Sequence, residues 1–149
     1  MKVAVDASVL VGLINPRDHR RLQAMELHDA LIAAEAELVY FDCAIAEAIS
    51  TVARRLEEKN RRAEVEAALD DLNARIPADA VTWILPDAPR LFREVLRIIR
   101  SSSGALNFND ALIALACRER GIEAIASFDE DFDQVDWLRR LARAEDLKG

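Results

Sequence analysis

The chain is 149 residues long, 52% hydrophobic and 32% charged, with a formal net charge of −7. That length fits one domain, residues 1–149, able to bury its own core; the composition excludes a disordered chain, and no apolar run approaches the roughly 20 residues that span a bilayer. The negative charge excludes indiscriminate coating of nucleic acid but not a selective nucleic-acid or protein partner, because Arg54, Arg55, Lys59, Arg61 and Arg62 form a local basic patch.

Short apolar runs alternate with longer amphipathic ones, the pattern of an α/β fold with a parallel sheet. Lys2 to Val5 reads as the first strand and Ser8 to Ile14 as a short buried helix that stops before Pro16. Asp18 is placed to cap a long helix reaching Glu35, with Leu22, Met25, Leu27, Leu31 and Ile32 at helical spacing. Leu38 to Phe41 is a second strand, Cys43 to Glu58 a helix with Asp42 as its N-cap, and Asn60 to Ala74 a further helix with a narrow stripe of Val65, Leu69 and Leu72. Ala80 to Leu85 is a third strand, Pro89 to Arg100 a helix, and Asp110 to Arg120 a strongly apolar helix closed by Gly121. Ile122 to Ala126 is the fourth strand and Trp137 to Arg143 a final short helix. An acid as early as Asp6, with no small-residue cleavage site after it, speaks against a signal peptide, so a cytoplasmic protein with Cys43 and Cys117 reduced, buried and inert is expected.

Four acids stand against apolar segments that must be buried: Asp6 after the first strand, Glu47 inside Ala44-Ile45-Ala46-Glu47-Ala48-Ile49, Asp110 at the start of its helix, and Asp129 after the fourth strand. Each has a plain structural use. Asp6 and Asp110 suit helix caps, Asp129 suits a solvated turn, and only Glu47, beside a buried helical face, is hard to explain alone. In parallel α/β sheets, functional groups collect beyond the carboxyl ends of the strands, and helix N-termini there lower the cost of assembling anions. An all-oxygen cluster of this kind suits a hard cation, Mg²⁺ or Mn²⁺, which compensates the repulsion and favours phosphate chemistry.

The segments Val5-Asp6-Ala7-Ser8-Val9-Leu10, Ala46-Glu47-Ala48, Asn109-Asp110-Ala111-Leu112-Ile113-Ala114 and Ser127-Phe128-Asp129-Glu130-Asp131-Phe132 resemble, in order and spacing, those of PIN-domain ribonucleases, and are most similar to the VapC-type toxins of toxin–antitoxin pairs. The resemblance implies a three-layer α/β/α domain around a central, mainly parallel sheet of four or five strands. It also implies a metal-dependent endoribonuclease specific for single strands, with Asp6, Glu47, Asp110 and Asp129 holding Mg²⁺ or Mn²⁺. Asp6 and Asp110 would be the principal ligands, Ser8 and Ser127 would orient carboxylates or water, and Asp131 would rank below Asp129. The implied partners are RNA, a cognate antitoxin and a second copy of the chain in a homodimer, with no membrane. Asp42 departs from the family pattern, in which proline is common at that place, and the charged helical pair at about residues 55–75 marks a specialised branch that would meet RNA or a protein.

Two other readings stay open. A catalytically silent PIN-like module that binds RNA or protein would ordinarily lack one of the acids, and all four are present. A phosphotransfer pocket also begins with an aspartate after an apolar strand, but Ser8 stands where a dehalogenase-like enzyme needs a second aspartate, and a receiver domain wants a lysine near Ser127-Phe128-Asp129.

Overall fold

Five short segments pair side by side into one sheet in the computed structural model, which describes residues 1–149. They are β1 (Lys2–Val5), β2 (Glu37–Phe41), β3 (Val81–Thr82), β4 (Ala124–Ala126) and β5 (Arg139–Leu141), in the order β3-β2-β1-β4-β5, every pairing parallel. Six helices connect them: α1 (Ala7–Ile14), α2 (Arg21–Ala33), α3 (Asp42–Glu58), α4 (Val65–Arg75), α5 (Ala88–Ser101) and α6 (Phe108–Glu119). The architecture is three-layer α/β/α, with the sheet in the middle and fully parallel.

The order of the strands determines where the chain can build a site. From β1 to β2 to β3 the chain steps one way across the sheet; after β3 it returns across to β4 and continues to β5 on the other side of β1. Right-handed crossovers therefore put α1 to α4 on one face and α5 with α6 on the other. The reversal falls between β1 and β4, and a crevice opens beyond their carboxyl ends.

Helix α1 is apolar along its length and buried everywhere except Ser8, as a helix inside the core must be. Gly12 is required there: a Cβ on it would lie 2.7 Å from the Ala24 Cβ, so α1 and α2 cross with almost no side chain between them. In α6 every residue from Asp110 to Cys117 is buried. Cys43 and Cys117 are both free thiols in the core, and burial pushes each up to about 12. No helix is long and apolar enough to cross a membrane.

Several sequence expectations are corrected. Trp137 to Arg143 is not a helix; Arg139–Leu141 is an edge strand, because β4 would otherwise leave its outer backbone groups unpaired, and Leu138 and Leu141 point inward around exposed Arg139. The third strand is cut to two residues. Asp42 is the reason: it is the first residue of α3 rather than its N-cap, and its buried carboxylate accepts the N–H groups of Ile84 and Leu85 at 3.0 Å each, together with that of Cys43. The chain turns there and leaves Trp83 65% exposed. Asp18 likewise does not cap α2; its carboxylate accepts the Arg20 N–H and pairs with Arg55 at 2.7 Å. The buried stripe of α2 is Ala24, Leu27 and Leu31, while Leu22 and Ile32 face outward, since close contact with α1 selects the face carrying Ala24. Helix α4 starts late, after a 3-10 turn at Arg62–Glu64, and buries Ala68 and Leu72 with Leu69 left exposed.

The Asp42 clamp yields a direct expectation. Asp42→Ala leaves the N–H of Ile84 buried and unsatisfied and should cost about 3 kcal/mol in urea unfolding, with Asp42→Asn costing less. Amide exchange at Ile84 and Leu85 should accelerate in the alanine variant; unchanged stability and exchange would show that β3 is held by something else.

Candidate active site

Because β1 and β4 are neighbours, whatever follows each strand emerges at the same place. The Asp6 N–H donates to the Ala126 carbonyl at 2.9 Å, and the two chain exits run side by side. Asp6 stands at the N-cap position of α1 but makes no capping bond. Instead its Oδ2 accepts both the Ser8 hydroxyl at 2.8 Å and the Ser127 hydroxyl at 2.7 Å. Each hydroxyl oxygen accepts in turn, Ser8 from the Phe128 N–H and Ser127 from the Asp129 N–H, both at 3.0 Å. The two serines thus bind Asp6 to the loop that carries Asp129.

Asp110 enters from the opposite face of the sheet, in the first turn of α6, through a reciprocal cap. Its N–H donates to Asn107 Oδ1 at 2.9 Å, and the Asn107 N–H donates to Asp110 Oδ2 at 3.0 Å. The capping use and the clustered-acid use coexist here, because a carboxylate has two oxygens and the cap takes one. Glu47 stands on the second turn of α3, half-buried. Asp129 accepts the Asp131 N–H at 2.9 Å through Oδ1.

Asp6, Glu47, Asp110 and Asp129 all line one cavity of about 340 Å³. Ser8 lines it as well, while Ser127 lies fully buried behind Asp6. Asp131 is outside the lining and meets the site at Asp129, to which its backbone N–H donates and whose charge raises its carboxyl. Thr51, Asn107, His19, Arg20, Arg54 and Arg55 also contribute to the wall, and none of them was singled out for the site from sequence. Asn107 carried a readable signal, the Asn-x-x-Asp spacing of a capping box. Thr51, Arg54 and Arg55 follow Glu47 along α3, the two arginines belonging to the basic patch of the sequence, while His19 and Arg20 arrive through the Asp18–Arg55 ion pair, which brings the α1–α2 turn onto α3 and has no sequence signature.

No arginine, lysine or histidine forms an ion pair with any of the four acids. Burial pushes the Asp6 carboxyl above its ordinary range, against the two serine hydroxyls that pull it down, and the charge of Asp129 adds to the rise. Glu47 is raised by burial and then by Asp6. Asp110 is pushed up to about 7, by burial first and also by the charges of Asp6, Glu47 and Asp129, against the Asn107 bond that lowers it.

These residues fit a hard cation: every donor is oxygen, and none of the carboxylates is ion-paired with a basic side chain. No three acids bring their oxygens to one common point, and one oxygen on each of Asp6, Asp110 and Asp129 accepts hydroxyl or amide donors. Coordination by one or two carboxylates completed by water, the habit of Mg²⁺, suits this arrangement.

The raised carboxyls carry a pH dependence. A carboxyl whose pKa is higher in the folded than in the unfolded state binds its proton more tightly when folded, so stability falls as pH rises from about 4 to about 7. Metal-free protein should therefore melt lower at about pH 8 than at about pH 5. Asp110→Asn keeps an oxygen for the cap and removes the charge, so it should gain about 1–3 kcal/mol at the higher pH and little at the lower. Thermal melts in EDTA at both values check this; a variant no more stable than the parent at about pH 8 would remove the repulsion argument.

Comparison with known proteins agrees with this geometry. A family model of the PIN domain matches residues 3–138. The fold is similar to that of VapC20 from Mycobacterium tuberculosis, a sarcin–ricin loop cleaving toxin, with 21% identity and a TM-score of 0.68 over 91% of this chain and 95% of that one. It is also similar to VapBC2 from Rickettsia felis, solved with a DNA fragment of the promoter, with 13% identity and a TM-score of 0.65 over 94% of this chain and 98% of that one. At such identities the likeness is one of fold. No curated protein sequence matches the chain. The family match runs from β1 to the residue before β5 and takes in all four clustered acids, and the chain belongs to the PIN-domain family.

Proposed function

We propose that residues 1–149 act as one PIN-like domain, a Mg²⁺- or Mn²⁺-dependent endoribonuclease specific for single strands and the toxin of a type II toxin–antitoxin pair in the cytoplasm. The observation that carries this reading is the set of four carboxylates around one cavity at the switch point, none of them ion-paired with a basic side chain. When bound, the metal supplies Lewis acidity toward the phosphodiester and a water of lowered pKa.

The protein's own residues divide the remaining work. Asp6 and Asp110 are the principal ligands, each with one oxygen already immobilised by hydroxyl or amide donors, so little freedom is lost when the other binds. Asp129 is positioned beside them by Ser127 and by the Asp131 N–H, where it would meet the metal through water. Glu47 is raised by burial and by the charge of Asp6 and stands outside the serine network, which suits it, in its ionised form, to take the proton from the attacking water as the oxygen–phosphorus bond forms. The displaced oxygen leaves with the other fragment of the strand and is protonated by solvent.

The toxin role is supported by fold similarity to VapC20 and VapBC2. The latter, a toxin–antitoxin assembly, makes a cognate antitoxin the expected protein partner. A homodimer is supported by helix α5, whose Phe92 and Leu96 are 49% and 41% exposed, with Phe108 of α6 packed beside Phe92.

Single-stranded RNA should be cut in Mg²⁺ or Mn²⁺ and left intact in EDTA. Asp6→Asn and Asp110→Asn should each lower cleavage by orders of magnitude, and Ser127→Ala, which removes a donor to Asp6 without removing a ligand, by about 10–100-fold. Mn²⁺ titrated into metal-free protein should bind the parent and fail to bind the Asp6 variant. Binding of Mn²⁺ without cleavage of any RNA, or cleavage by Asp6→Asn at the parent rate, would overturn the assignment; absence of Mn²⁺ binding would point to a silent binding module.

A further inference from the structure

The basic patch of the sequence is not absorbed by the catalytic reading, and the structure gives it a place. The cavity of the four acids does not end at the acids. It shares Asp18, His19 and Arg55 with a second cavity of about 350 Å³, lined by Arg17, Lys59 and Arg61. The two form one trough that begins among carboxylates and continues between cations.

Helix α3 is its floor. Glu47, Thr51 and Arg55 succeed one another every four residues, so they share one face, and Lys59 follows at the helix end. At 1.5 Å per residue, Arg55 lies about 12 Å and Lys59 about 18 Å along the axis from Glu47. The arginines of the acid cavity have other partners: Arg55 pairs with Asp18, whose side chain is 4% exposed, Arg54 pairs with Glu58 one turn further on, and Arg20 lies over the Phe128 ring at 5.0 Å. Arg17 and Arg61 both approach Glu64 at the far rim, and Lys59 pairs with nothing. Positive charge therefore outlasts its local partners in this trough, within a chain whose net charge is −7.

We infer that this trough is a phosphate track: the backbone of a single-stranded RNA lies along α3 from the acids toward Lys59, so that the strand is gripped on one side of the bond to be cut. The inference rests on the ribonuclease reading and adds to it the residues that hold the substrate. An acidic protein repels a polyanion over most of its surface, and a local cationic trough both selects the approach and sets the register at the metal. A track read through phosphates is tolerant of base sequence and strongly salt-dependent.

The test compares two double variants that each remove two exposed positive charges. Arg54→Gln with Lys59→Gln strips the trough; Arg93→Gln with Arg97→Gln, on α5 and lining none of the cavities described, is the control. Fluorescence anisotropy of a short mixed-sequence single-stranded RNA, in EDTA and over a range of salt, reports binding without cleavage. The trough variant should bind about tenfold more weakly at low salt and lower the slope of log K against log salt by about 1.4, while the control keeps the parent slope. In Mg²⁺ the trough variant should raise KM and leave kcat near the parent value. Equal slopes in both variants would overturn the inference by reducing the effect to net charge, and so would loss of binding to a protein partner with RNA binding intact. Failure of the parent to bind Mn²⁺ or to cut RNA would instead strike the ribonuclease reading, which the anisotropy does not measure.

Discussion

The carboxylate of Asp6, buried at the carboxyl end of β1, is tolerable only because two hydroxyls meet one of its oxygens. An ionised group in that position without donors would cost several kcal/mol. One donor is local, Ser8 in the first turn of α1; the other, Ser127, arrives from 121 residues away because β4 lies beside β1. The edge strand completes the arrangement, since the Ser127 N–H donates to the Leu141 carbonyl and the Ser127 carbonyl accepts from Arg140. Sheet order, edge strand and loop thus act together on a single oxygen. The Asp129 N–H on the same Ser127 hydroxyl extends this order to the next acid in the cavity.

Much of this was legible in the chain, for identifiable reasons. The sheet could be read because its strands are short apolar runs ended by turn residues, and the four acids because charge beside buried segments is conspicuous. Asp110 shows where sequence reasoning stops: capping and clustering predict the same residue, and only the structure shows that the residue which caps α6 through one oxygen also lines the cavity of the acids. Trp137 to Arg143 misled because seven residues of mixed pattern do not reveal whether a sheet edge awaits them. Asp42 misled for a similar reason, as two of the three N–H groups it accepts belong to residues more than forty positions away. Leu22 and Ile32 followed helical spacing, yet the face of α2 was chosen by the absence of a side chain on Gly12.

The segregation of charge along α3 has a comparable origin. An arginine one or two turns from Glu47 would ordinarily reach back toward a carboxylate cluster and neutralise it. Here the buried carboxylate of Asp18 and the next-turn Glu58 hold Arg55 and Arg54 instead. The acids stay available to a cation, and the arginines stay available to an anion. Opposite charges then coexist in adjoining parts of one trough without pairing across it.

The unneutralised acids also bear on how metal and fold are coupled. Burial and mutual repulsion hold Asp6, Glu47 and Asp110 above their ordinary range, so the metal-free fold carries a penalty that grows as these groups ionise. A cation binding the folded arrangement relieves that penalty, and the relief adds to its apparent affinity and to the stability of the loaded protein. The cap on Asp110 and the serines on Asp6 limit the alternative, in which the carboxylates would simply swing apart. Because these donors are set by helix start and strand order, the acids remain clustered at a cost to the metal-free protein.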